Sequence, residues 1–208
     1  MPMNSWTSEA GPGQPDIRGT YAALADAIIP RTPGLSWEAG AAYLAGGAQW
    51  AVGQYLAMTL DRSPAVRGLP LATAWLLDAA AGHLIATGRV TTPLNPYAFP
   101  GGGRFASLSR GDRIRVLALL EQMELDPNAL PPPYRESPWL VAVTIDVLNR
   151  STAMGFYSEW PGYGTTRLLP PDQMELECFP PGWLQARFPG PSLGYRALRG
   201  YPGAQPSE

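Results

Sequence analysis

His83 and Cys178 are the only histidine and the only cysteine in this chain, and all 15 of its basic side chains are arginines. Side-chain chemistry near neutral pH usually draws on a histidine base, a lysine amine, a thiolate or a cluster of metal ligands. His83 sits in the middle of an expected helix, beside Leu84 and Ile85. Asp78, the nearest carboxylate upstream, is five residues away, which is off the helical repeat. His83 therefore reads as a partly buried structural residue. Cys178 lies among Glu175, Glu177 and Phe179. Neighbouring carboxylates raise a thiol's pKa, whereas a nucleophilic thiol needs it lowered. One cysteine with one histidine cannot make a zinc, iron–sulfur or covalent haem site by the usual ligand counts. Carboxylates are what remain. Glu159, Asp172, Glu175 and Glu177 cluster late in the chain, and a pair of them is the minimum for glycoside hydrolysis. Pairing with Arg167 and Arg187, or simple solvation, is the competing reading. The run Gly101-Gly102-Gly103 has no preceding strand and no following Lys-Ser/Thr, so it does not read as a phosphate loop.

The elements that would have to position such residues are helices. Ile17, Tyr21, Leu24, Ala25 and Ile28 recur at helical spacing, and Pro30 and Pro33 close that segment. Ser36 can cap a second helix reaching to about Leu60. Its glycines at 40, 46, 47 and 53 either allow a close helix neighbour, or split it at Gly46-Gly47. A third helix is expected from about Pro64 to Thr87, with Leu69, Trp75, Leu76, Leu77, Leu84 and Ile85 on its apolar side and Gly88 as its stop. Residues 89–106 read as a loop. Ser109 and Asp112 form a capping-box variant for a helix whose stripe is Ile114, Leu117 and Leu120, extending to Met123. A last helix, about Ser137 to Tyr157, carries apolar residues on two faces, including Trp139, Val143 and Val147, and reads as a central buried helix. The expectation is an all-α fold, an irregular helical bundle over residues 1–158 with a loose terminus at 1–15.

Residues 159–208 differ. Prolines interrupt them every few positions, yet Trp160, Tyr163, Phe179, Trp183, Phe188, Tyr195 and Tyr201 recur through them. Large rings need burial, and proline reduces the entropy lost on docking. The segment reads as a Pro/Gly/aromatic strap, seated either on this chain's own helices or on a partner. Its partner-binding set is expected to be Trp160, Tyr163, Arg167, Phe179, Trp183 and Tyr195, residue types enriched at interface hot spots.

Formal charge −2 and a low charged fraction of 15% argue against a nucleic-acid protein. The apolar stretch 39–60 is mostly Ala and Gly with Gln49 and Gln54 inside it, so no transmembrane segment is expected. No secretory or twin-arginine signal is visible at the start, which gives a cytoplasmic expectation, or export alongside a signal-bearing partner.

Three motifs carry a family resemblance. Ala25-Asp26-Ala27-Ile28-Ile29-Pro30 in the first helix resembles the "ADAIIP" opening of subunit 3, the small or gamma subunit, of gluconate 2-dehydrogenase-type enzymes. Phe105-Ala-Ser-Leu-Ser109, leading to a helix ending Leu-Leu-Glu121, is similar to that family's "F..LS" helix. Gly155-Phe156-Tyr157 followed by Trp160-Pro-Gly-Tyr163-Gly resembles its "GFY…YGGN" end. The resemblance implies a non-catalytic accessory subunit that holds no cofactor itself. It also implies a large FAD-dependent partner of the glucose-methanol-choline type acting on a sugar or sugar acid, with a cytochrome c subunit often completing the complex. The absent twin-arginine signal and the long strap depart from that pattern. A self-assembling structural protein without a flavoprotein partner is the rival reading.

Overall fold

The computed structural model describes residues 15–64 and 66–190. Among these residues there are eight α-helices and no strand, so the all-α expectation holds. Helix α1 (Ile17–Ile28) starts where the periodicity does. Asp16 caps it, its carboxylate accepting from the Arg18 and Gly19 amides at 3.2 and 3.1 Å. Ile17, Tyr21, Leu24 and Ala25 are buried. This helix is the centre of the bundle, packing against α3 (Val52–Asp61), α4 (Leu69–Ala86), α5 (Gly103–Ser107), α6 (Arg110–Glu121) and α7 (Trp139–Tyr157).

The segment 36–60 is split rather than continuous. It comprises the single turn α2 (Ser36–Ala39), a 3-10 turn at Ala41–Leu44, a bend through Gly46-Gly47, and α3. The two glycines are the cause. A Cβ on Gly46 would lie 2.5 Å from the Arg31 amide and the Ile29 carbonyl, and one on Gly47 would lie 2.9 Å from the Ala25 carbonyl. The bend therefore lies directly on the end of α1. Gly53 extends the same close approach into α3, where a Cβ would meet Tyr21 backbone at 2.8 Å.

Helix α4 begins at Leu69, later than expected, and ends at Thr87-Gly88 as expected, Gly88 taking φ +65°. Leu69, Leu76, Leu77 and Leu84 are buried, but Trp75 is exposed. By length and composition α4 could cross a membrane, and half of it is buried inside this bundle. The expected loop 89–106 contains α5, whose first amides point at the Asp78 carboxylate of α4. Phe105 N donates to it at 3.3 Å, and the Arg104 amide donates to it as well. The triple glycine is a packing device. Gly101 and Gly103 adopt positive φ, and a Cβ on Gly102 would meet Gly19 backbone at 2.7 Å.

Helix α6 opens with the expected capping box. Ser109 Oγ accepts from the Asp112 amide at 3.2 Å and donates to the Asp112 carboxylate at 2.8 Å. Its buried face, however, is Val116, Leu117, Leu119 and Leu120 with Asp112 and Arg113, while Ile114 and Met123 are exposed. The expected stripe is thus rotated, because a buried ion pair occupies part of the inner face. Helix α7 is peripheral, not central. Val141, Thr144, Ile145, Leu148, Thr152 and Phe156 face inward, and its second apolar face, with Trp139 67% and Met154 63% exposed, looks out.

Candidate functional site

The polar groups inside the bundle tie helices together. Arg113, 4% exposed, donates through Nε to the Leu108 carbonyl at 3.0 Å, and through one terminal nitrogen to the Ala23 carbonyl at 2.7 Å and the Asp26 carboxylate at 2.9 Å. Its guanidinium also lies 4.9 Å from the Phe99 ring centre. Burial pulls its pKa below the ordinary arginine value, and Asp26 counters that. Arg113, outside the quoted motifs, thus binds Asp26 of the first resemblance motif and the Leu108 carbonyl of the second, and locks α1 to α6. Asp112 is fully buried. It accepts from the Thr91 amide at 3.1 Å, the Thr91 hydroxyl at 2.8 Å and Ser109. Burial raises its pKa, but these hydrogen bonds outweigh it and hold the carboxyl below its ordinary range. Tyr21 donates to the Pro70 carbonyl at 2.9 Å, and Tyr134 shares a hydrogen bond with Thr73 at 2.7 Å. Desolvation raises both phenol pKa values.

Described residues 159–190 of the strap lie against the helices, and their rings have distinct placements. Trp160, 6% exposed, donates from its indole nitrogen to the Ala51 carbonyl at 3.0 Å and meets Tyr55 edge-on at 5.5 Å. Arg167 donates to the Gly164 carbonyl at 2.6 Å, with its guanidinium 5.8 Å from the Trp160 ring. Tyr163 donates to the Glu159 carboxylate. Together with Met58 of α3 and Arg62 just beyond its end, these residues border a pocket of about 480 Å³. Further along, Phe179, Trp183 and Phe188 form an edge-to-face stack, with centroids 5.4 and 4.9 Å apart. Trp183 belongs to a short helix, α8 (Pro181–Gln185), that packs on the end of α7. Trp183 is buried while Phe179 and Phe188 stay partly exposed. Of the sequence-derived set, Trp160, Tyr163 and Arg167 form one group, Phe179 and Trp183 a second, and Tyr195 lies outside the described residues.

Glu177, proposed above as one of a carboxylate pair, is occupied. It accepts from the Thr165 amide at 2.9 Å and from the Thr165 hydroxyl, and these bonds lower its pKa. Gly164 takes φ +47° with Glu177 directly beside it, a position where a Cβ has no room. Glu159 is engaged by Tyr163. Both carboxylates shape the strap. Among the described residues no three His, Cys, Asp or Glu side chains gather as metal ligands. His83 is half-buried, and Cys178 is an exposed free thiol 3.8 Å from the Pro161 and Gly162 carbonyls.

A further group of exposed apolar residues lies elsewhere, on a surface the sequence did not single out. Helix α8 packs against the Ala41–Leu44 turn, which packs against α2. This end of the molecule presents Leu35, Trp37 (94% exposed), Leu44, Leu184 and Phe188. Adjacent large apolar residues left in water on a folded chain mark an interaction surface. Their only sequence signal is that they lie in turns too short to bury them. No family model, curated protein or solved structure matches the chain.

Proposed function

We propose that this chain is a non-catalytic accessory subunit of an FAD-dependent sugar or sugar-acid dehydrogenase, docking on a large flavin-bearing subunit of the glucose-methanol-choline type. The exposed apolar end formed by α2, the Ala41–Leu44 turn and α8 carries this reading. Apolar side chains there, Trp37 above all, gain stability only when a partner removes them from water, at roughly 25 cal/mol per Å² of apolar surface. The resemblance through Asp26 and Leu108-Ser109 supplies the kind of partner, and those motif residues hold the bundle that presents the surface. Within the strap, Trp160 and Trp183 are buried and pin the segment to this chain, Phe179 stays exposed beside Trp183, and Tyr163 and Arg167 border the separate pocket beside Trp160. The subunit lends shape and stability, and the flavin, substrate and electron acceptor belong to the other chains, a cytochrome c among them where one is present.

The test is co-expression with a glucose-methanol-choline flavoprotein from the same genome. Soluble, FAD-loaded dehydrogenase should accumulate with this chain and drop several-fold without it. The double variant Trp37→Ser, Leu184→Ser should fold alone and fail to raise the yield. Equal yield and flavin content with and without the chain would refute the reading.

A further inference from the structure

Helix α7 presents a second, separate surface whose layout is that of a self-complementary interface. Its exposed residues are Trp139, Ala142, Val143, Asp146, Asn149, Arg150, Ala153, Met154 and Tyr157. At 100° per residue all but Asn149, which lies at the edge, share one stripe about 120° wide along about 27 Å of helix. The stripe is a palindrome about the level of Leu148. Trp139 and Tyr157 lie nine residues to either side, Ala142 and Met154 six, Val143 and Ala153 five, Asp146 and Arg150 two. Among these pairs, Trp139 and Tyr157 match ring with ring, and Asp146 and Arg150 match acid with base.

We propose that two copies of this chain pair antiparallel through the outer face of α7, with a two-fold axis at Leu148. Such an axis brings each residue to the level of its palindromic mate on the other copy, as an isologous interface requires. Trp139 then meets the second copy's Tyr157 on the seam, and Val143 shares a level with Ala153. Asp146 and Arg150, now joined within one helix at 2.8 Å and both largely exposed, gain the opposite charges of the second copy. A parallel pair, by contrast, would stack Asp146 on Asp146 and Arg150 on Arg150. The charge pattern thus selects the antiparallel copy as the occupant. One helix face of this length buries less than the roughly 800 Å² per partner of a standard interface, so the dimer is weak and concentration-dependent. It is independent of the flavoprotein surface at α2 and α8, and either can fail without the other.

Sedimentation equilibrium of the full chain tests it. The mass should rise from one chain towards two with concentration. Asp146→Arg and Arg150→Asp should each be monomeric, because each makes the axis carry a single sign of charge. Mixed in equal amounts they should associate as a heterodimer. Folding of each single variant is checked by circular dichroism. Independently, Val143→Cys with Ala153→Cys in a Cys178→Ser background should oxidise to a covalent dimer. The two cysteines are about 15 Å apart along one helix and cannot close internally. A wild type that stays monomeric at the highest concentration overturns the proposal. So does dimerisation untouched by the charge reversals, or a mixture that fails to associate.

Discussion

Arg113 shows how a single side chain can be both the most costly and the most needed group in the bundle. It serves two carbonyls and the Asp26 carboxylate from a nearly dry position. Removing one partner of a buried pair typically costs about 3–5 kcal/mol, because the other is left uncompensated. Arg113→Ala should therefore lose stability on that scale in urea titration, and Arg113→Lys should recover only part of it, since lysine lacks the fork that reaches three acceptors. Asp112 gives a pH signature. Its folded carboxyl lies below its ordinary value of 3.8. Its contribution is present above that value and is lost as pH falls below it towards the folded pKa. Asp112→Asn should be less stable than wild type near neutrality, and the gap should narrow as pH drops below 3.8. A gap independent of pH would show that the carboxylate's charge is not what stabilises the Thr91 loop. Neither role was legible in the sequence. Asp112 was visible as a cap, but its bond to Thr91 spans a loop, and Asp26 and Arg113 are joined only by folding.

Most helices were legible from periodicity and caps. The start of α1 follows from the periodicity beginning at Ile17 and that of α6 from Ser109, and Gly88 ends α4 as expected. What periodicity could not supply was the partner of each face. The glycines at 46, 47 and 53 left open whether one long helix runs there, because the answer depends on the backbone of α1 lying 2.5–2.9 Å from where their side chains would be. Gly53→Ala should accordingly destabilise strongly, despite alanine's better helix propensity. Gly111→Ala is the contrast. Its Cβ meets nothing nearer than 4.0 Å, so the substitution in α6 should stabilise by up to about 1 kcal/mol. Thermal melts of the two variants in opposite directions would confirm that packing, not propensity, places these glycines. The outward face of α7 shows a further limit: an apolar residue marks a face as burial-worthy without saying what buries it.

At the scale of the whole molecule, the described residues form a bundle around α1, a strap fastened to it by Trp160 and Trp183, and two apolar surfaces that no described residue covers. The strap's aromatic content was readable in the sequence, and its docking on α3 and α7 accounts for part of it. The open end at Trp37 and Leu184 was not readable, since it is assembled from turns far apart in the chain. On the proposed reading, that end docks on the flavin-bearing subunit. The most direct measurement is native mass spectrometry of the complex purified from its own host on an affinity tag carried by this chain. One copy of a large subunit with its FAD is expected per copy of this chain, with the Trp37→Ser, Leu184→Ser variant recovered free of flavin. Recovery of the wild-type chain alone, or only as copies of itself, would contradict an accessory role.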